Sequence, residues 1–133
     1  MQKNYSSFEQ GDIVVANIAY SQQIGFKKRP VLIISNTKYN QKSGDIIVTS
    51  ISSTKVKSKY DIKLTNRDLT EGELNLESKI LADFPTTIEK ELIENKIGKI
   101  KKTKLNEVKE KLSELYELQT NNHQLTNSLC ATL

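Results

Sequence analysis

Gly25-Phe26-Lys27-Lys28-Arg29-Pro30-Val31-Leu32-Ile33-Ile34-Ser35 is followed, after an interval, by Asp45-Ile46-Ile47-Val48-Thr49-Ser50-Ile51-Ser52-Ser53. Each stretch contains a short apolar run rich in β-branched residues, which suits a buried strand. The interval Asn36 to Gly44 is Asn, Lys, Ser and Gly chemistry, so a turn of more than minimal length joins the two. Pairing the runs as an antiparallel hairpin sets the start of the first beside the end of the second. Arg29 and Ser52 then share one rim of a sheet. Pro30 fits the first position of its strand, where a missing amide disturbs the ladder least.

Outward from this hairpin, the other strands read from their own patterns. Gly11-Asp12 is a turn signal before Ile13 to Ile18, a run suited to a strand buried on both faces. Ala19 to Lys28 has no periodicity and reads as a loop hinged at Gly25. Tyr60 to Leu64 alternates as a half-exposed strand, and Thr65 to Glu73 is polar, with at most one helical turn at Asn66 to Leu69. Ser78 to Phe84 is a strand ended by Pro85, and Ile97 to Ile100 is a short last strand. The period then changes: Leu105, Val108, Leu112, Leu115 and Tyr116 fall on one helical face, with Thr103 as N-cap. The expectation is a mainly β fold, a small antiparallel barrel or curled sheet capped by a C-terminal α-helix. Residues 1–10 read as a flexible N-terminus, 11–118 as the domain and 119–133 as a polar tail.

The chain has 133 residues and one cysteine, Cys130, which excludes an internal disulfide and a thiolate metal cluster. The start lacks an apolar signal core and no run approaches membrane-spanning length, so the expectation is a cytoplasmic protein with no membrane contact. The formal net charge of +4 and pI of about 9.1 lean toward a polyanionic partner. The cations fall in three groups: Lys27, Lys28 and Arg29; Lys55, Lys57 and Lys59; and Lys96, Lys99, Lys101, Lys102 and Lys104. They read either as three solvated faces or as one basic surface assembled by folding.

No phosphate-binding glycine loop, dinucleotide glycine pattern or paired metal-ligand spacing is present, so neither cofactor nor metal is expected. The sole histidine, His123, lies in the tail, which excludes a histidine-pair nuclease and a serine–histidine–acid triad. Arg29, Ser52, Ser53, Asp83 and nearby lysines remain. Arginine matches phosphate geometry with two parallel donors, but Arg29 could equally cap the sheet or pair with Asp12 or Asp45. Ser52 could simply close a turn. Asp83, flanked by Ala82 and Phe84, needs a partner or a sheet edge, and Arg29 is a candidate partner.

The ordered blocks Gly11-Asp-Ile-Val, Lys28-Arg29-Pro30-Val-Leu-Ile-Ile-Ser35, Ile47-Val-Thr-Ser-Ile-Ser52-Ser53 and Asp83-Phe-Pro-Thr-Thr-Ile88-Glu89 resemble the MazF/PemK (Kid) toxin family of bacterial toxin–antitoxin systems. The match runs from about Gly11 to Leu118. The resemblance implies an SH3-like β-barrel with a C-terminal helix, working as a homodimer and neutralised by a small acidic antitoxin. It also implies metal-independent, sequence-selective cleavage of single-stranded RNA by the substrate's own 2′-hydroxyl, leaving a cyclic phosphate and a 5′-hydroxyl. By position, Arg29 matches the catalytic arginine, Ser52 stands where threonine is usual, and Asp83 matches the acid of the Asp-x-Pro block. Tyr20, Gln23, Phe26, Lys27, Lys28, Ser53 and Lys55 are the residues expected to hold RNA. The sequence departs from the pattern at Gln22-Gln23-Ile24, where a glutamate is usual, and at Leu81, where an arginine is usual. A weakened RNA- or antitoxin-binding module is the alternative. A topoisomerase poison of the CcdB type is disfavoured by the absence of tryptophan.

Overall fold

The computed structural model describes residues 8–19 and 25–118, with the side chains of Ala19 and Phe26 left undescribed. Seven strands, β1 (Asp12–Ala19), β2 (Phe26–Ile33), β3 (Asp45–Ser52), β4 (Asp61–Leu64), β5 (Leu69–Gly72), β6 (Ser78–Glu89) and β7 (Ile93–Ile100), form one antiparallel sheet. Their spatial order is β4-β6-β3-β2-β1-β7-β5. The helices are α1 (Thr37–Lys42) and α2 (Lys102–Tyr116).

Connectivity dictates the curl. The two edge strands, β4 and β5, are consecutive in the chain and joined only by Thr65–Asp68, which contains a 3-10 turn. Fully extended, the step from Leu64 to Leu69 spans at most about 18 Å. Seven strands laid flat would hold their outer members about 29 Å apart. The sheet therefore bends until its edges meet, which gives the expected barrel-like form.

Each face of the sheet has its own core. Ile13, Leu32, Ile51, Ile62, Leu64, Ile80, Ala82 and Ile100 pack beneath Val108, Leu105 and Leu112 of α2. Val14, Ala16, Val31, Ile33, Ile46, Val48, Ile88 and Ile93 form the second core on the opposite face, together with Phe8. Strand alternation sorts them: adjacent residues such as Ile13 and Val14 enter different cores. Phe8 is buried, so packed structure begins ahead of Gly11.

Several boundaries differ from the sequence reading. Lys27 and Lys28 belong to β2 rather than to a loop, and Pro30 lies inside that strand, opposite Val15. It is tolerated because the ladder to β3 begins only at Val31, leaving Pro30 with one partner strand. Pro85 does not end β6; it sits opposite Thr49, where the ladder shifts register, a position that accommodates proline. The interval 36–44 contains α1, whose N-cap Asn36 accepts the Tyr39 amide at 2.7 Å. β5 arises within the polar stretch, and β7 begins four residues earlier than Ile97, at Ile93. The N-cap of α2 is Lys101, whose own amide donates to Asp68 O at 2.7 Å, rather than Thr103.

Candidate active site

The hairpin of the opening stretch is present, with Val31 opposite Ser50, Leu32 opposite Thr49 and Ile33 opposite Val48. Beyond Val31 and Ser50 the two strands keep their other partners, β1 and β6, but no longer pair with each other. Arg29 and Ser52 stand two residues past that last pair, one on each side of the parting. Alternation puts both on the face of Val31, Ile33, Ile46 and Val48, away from α2. Arg29 is exposed and Ser52 half-buried.

Ser52 is held by its own turn. Its Oγ accepts the Thr54 amide at 3.2 Å and lies 3.0 Å from Thr54 Oγ1. When Thr54 donates to it, both acceptor sites of Ser52 are used and its proton remains available to an incoming oxygen. A turn thus supplies some of the rotamer restraint that the methyl of a threonine would give.

Asp83 lies on a bulge of β6 opposite Ser50, two residues before Ser52. Along the β3–β6 ladder Thr49 faces Pro85 and Ile51 faces Ile80, so Leu81–Phe84 oppose Ser50 alone. The Thr49 hydroxyl donates to Leu81 O inside this segment, and the Ala82 amide donates to Tyr60 O at 3.0 Å. Asp83 and Phe84 are exposed on it. The hydrogen bonds and ion pairs of the described residues include no Arg29–Asp83 bridge.

The residues expected to hold substrate are divided by the fold. Lys27 shares the face of Arg29, whereas Lys28 turns to the other face, with Nζ 3.5 Å from Glu94, which also accepts Asn17 Nδ2 at 3.0 Å. Ser53 and Lys55 are exposed in the loop after β3, lining a cavity of about 380 Å³ with Thr54, Lys63, Glu77 and Ser78. Tyr20 and Gln23 lie outside the described residues, and so does the Phe26 side chain. The third basic group is largely neutralised: Lys96 and Lys99 reach Asp12, Glu71 and Glu9, and Lys104 reaches Asp68 and Glu107. It therefore adds little to a continuous basic surface. Among the described residues no three His, Cys, Asp or Glu side chains converge as a metal site, and no helix is long and apolar enough to cross a membrane.

One feature of the site escaped the sequence reading. Lys79 and Asp61 form a buried ion pair at 3.0 Å beneath the loop 53–60. Burial works against the Asp61 carboxylate, but the Lys57 amide, the Lys79 ammonium and the Ser58 amide outweigh it and hold its pKa below the ordinary value. The available signal was a lysine inside an apolar strand run, Ser78-Lys79-Ile80-Leu81, with a strand aspartate nearby to match it.

Comparison with known proteins bears on the fold and the family. A mycobacterial endoribonuclease solved with its cognate antitoxin superposes with a TM-score of 0.71 at 18% identity, covering 86% of this chain and 99% of its own. A chain of the MazE–MazF structure from Deinococcus radiodurans gives 0.69 at 22% identity, covering 84% and 97%. Mycobacterium tuberculosis toxin MazF-mt6 gives 0.67 at 21%, covering 82% and 99%. At these identities the likeness establishes the fold. No curated protein sequence gives a significant match. The family model of PemK-like, MazF-like toxins of type II toxin–antitoxin systems matches residues 9–116, and the chain belongs to that family.

Proposed function

We propose that the chain is the toxin of a toxin–antitoxin pair and acts as an endoribonuclease on single-stranded RNA. The observation that carries this reading is the parting of β2 and β3 with Arg29 on one side and Ser52 on the other, on one face of the sheet. The substrate's 2′-oxygen attacks the adjacent phosphorus, the bond to the 5′-oxygen breaks, and a 2′,3′-cyclic phosphate and a 5′-hydroxyl result. The nucleophile belongs to the RNA, so the protein's task is alignment and charge stabilisation. Arg29 offsets the negative charge that grows on the phosphorane. Ser52 donates to a non-bridging oxygen while Thr54 holds its rotamer. Asp83, exposed on the adjacent bulge, accepts the 2′-hydroxyl proton, and water supplies the proton that the departing 5′-oxygen takes up.

Lys27, Ser53 and Lys55 contact flanking phosphates, and Tyr20, Gln23 and Phe26 supply contacts to bases from the first loop. Lys28, paired with Glu94 on the other face, contributes at longer range. The solved relatives are described with an endoribonuclease activity and a cognate antitoxin, or as MazE–MazF complexes. By the same reading this chain works in the cytoplasm as a homodimer and is silenced by an acidic antitoxin segment.

Purified protein incubated with mixed-sequence RNA in EDTA tests the reading. Discrete cuts ending in cyclic phosphate, abolished by Arg29→Ala, are expected. Intact RNA with retained binding would replace the enzyme with a binding module, and a metal requirement would overturn the mechanism.

A further inference from the structure

Lys79 faces Ser52 directly across the β3–β6 ladder and faces Lys63 across the β4–β6 ladder. It is buried, which a lysine tolerates only with partners. Its Nζ donates to Lys55 O at 2.9 Å and to Asp61 Oδ2 at 3.0 Å. The same Asp61 oxygen accepts the amides of Lys57 at 2.8 Å and Ser58 at 3.1 Å. One ammonium and one carboxylate therefore fix three backbone groups of a single loop. That loop has no regular structure across Ser53–Lys57, and Val56, its apolar residue there, is 52% exposed. Val56 therefore does not anchor this segment to the core.

The hold reaches the reactive rim in two steps. Lys79 fixes the carbonyl of Lys55, and the preceding residue, Thr54, makes both contacts to the Ser52 hydroxyl. A buried ion pair can often be exchanged for apolar residues without loss of stability, so stability alone does not account for it. We propose that Lys79, with Asp61, is a positioning residue that sets the orientation of the Ser52 hydroxyl. The proposal rests on the endoribonuclease reading and adds to it a residue outside the site's own rim.

The test is a double-mutant cycle in RNA cleavage between Lys79→Met and Ser52→Ala. Lys79→Met keeps the aliphatic stem and deletes the donors. It is expected to lower kcat about tenfold with little change in KM, as loss of alignment does. In the Ser52→Ala background the same substitution is expected to cost less than twofold, because the group it positions is gone. Multiplicative losses, or full activity of folded Lys79→Met, would overturn the proposal. If Lys79→Met does not fold, Asp61→Asn replaces it in the same cycle, with the same coupling expected. Should the wild-type protein cut no RNA, the endoribonuclease reading fails while the positioning claim is still readable by amide hydrogen exchange. Faster exchange at Thr54, Lys57 and Ser58 in Lys79→Met, with the core strands unchanged, supports it; unchanged exchange there overturns it.

Discussion

Lys96 reaches Asp12 from the neighbouring strand, its Nζ 3.3 Å from Oδ1 of a carboxylate with no solvent exposure. Oδ2 accepts the Glu9 amide at 2.9 Å, whereas Oδ1 has no hydrogen bond of good geometry, so charge carries that side of the pairing. Asp12→Ala is expected to destabilise the fold by about 3 kcal/mol, the lower end for a broken buried pair because Lys96 can turn to solvent. Denaturant unfolding of the two proteins measures it.

The same pair sets an alkaline limit. Burial opposes the Lys96 ammonium, but Asp12 and then Glu71 outweigh it and raise its pKa above 10.5. The folded state keeps this proton longer than the unfolded chain does. The contribution is therefore complete below 10.5 and fades as pH rises through the folded value. Unfolding followed upward from about pH 9 should show a steeper decline for wild type than for Lys96→Met. Parallel curves would refute the assignment.

Asp61 gives the opposite sign. Its folded pKa lies below 3.8, so its contribution is present above that value and lost as pH falls through the folded one. Acid titration of stability should be shallower below that value in Asp61→Asn than in wild type.

Arg29 is exposed, and its replacement should spare the fold while removing activity. Arg29→Ala is expected to reduce RNA cleavage roughly 10²–10³-fold, the usual cost of deleting a donor aimed at transition-state charge. Arg29→Lys should recover little of it, since an ammonium cannot reproduce two parallel donors. Cleavage rates read beside circular dichroism separate the two effects.

Gly72 has φ of +80°, and a Cβ there would collide with the Ile97 carbonyl. A Cβ on its cross-strand partner, Gly98, would come within 2.8 Å of Glu71 O. Gly72→Ala is expected to cost roughly 3 kcal/mol from strain and displacement together. A Tm within a degree of wild type would show that β5 can move aside.

The sequence disclosed what periodicity and punctuation encode. Val31 to Ile33 and Val48 to Ser50 pair in the hairpin that their apolar runs suggested. Val108 of α2 is buried where the helical period placed it. Elements whose cause is tertiary stayed hidden. Leu69–Gly72 is polar because it is an edge strand, one that exists only because β7 lies beside it. Ile93–Lys96, ahead of the expected last strand, becomes strand because β1 pairs with it. Arg29 and Ser52 were legible as a shared rim from the hairpin alone. Lys79 was not, because its meaning depends on a loop folding over it and on Asp61 arriving from another strand.

Where β2 and β3 part, Lys27–Pro30 remain paired only with β1, and Ile51–Ser52 only with β6. The gap is thus bordered by main chain as well as by side chains. Side-chain substitution removes no amide; only proline does, and Pro30 is already one. Grip and cutting should therefore be separable by mutation. On the proposed function, a copy disarmed at Arg29 is expected still to engage RNA and compete with active copies for it, so loss of toxicity need not mean loss of occupancy.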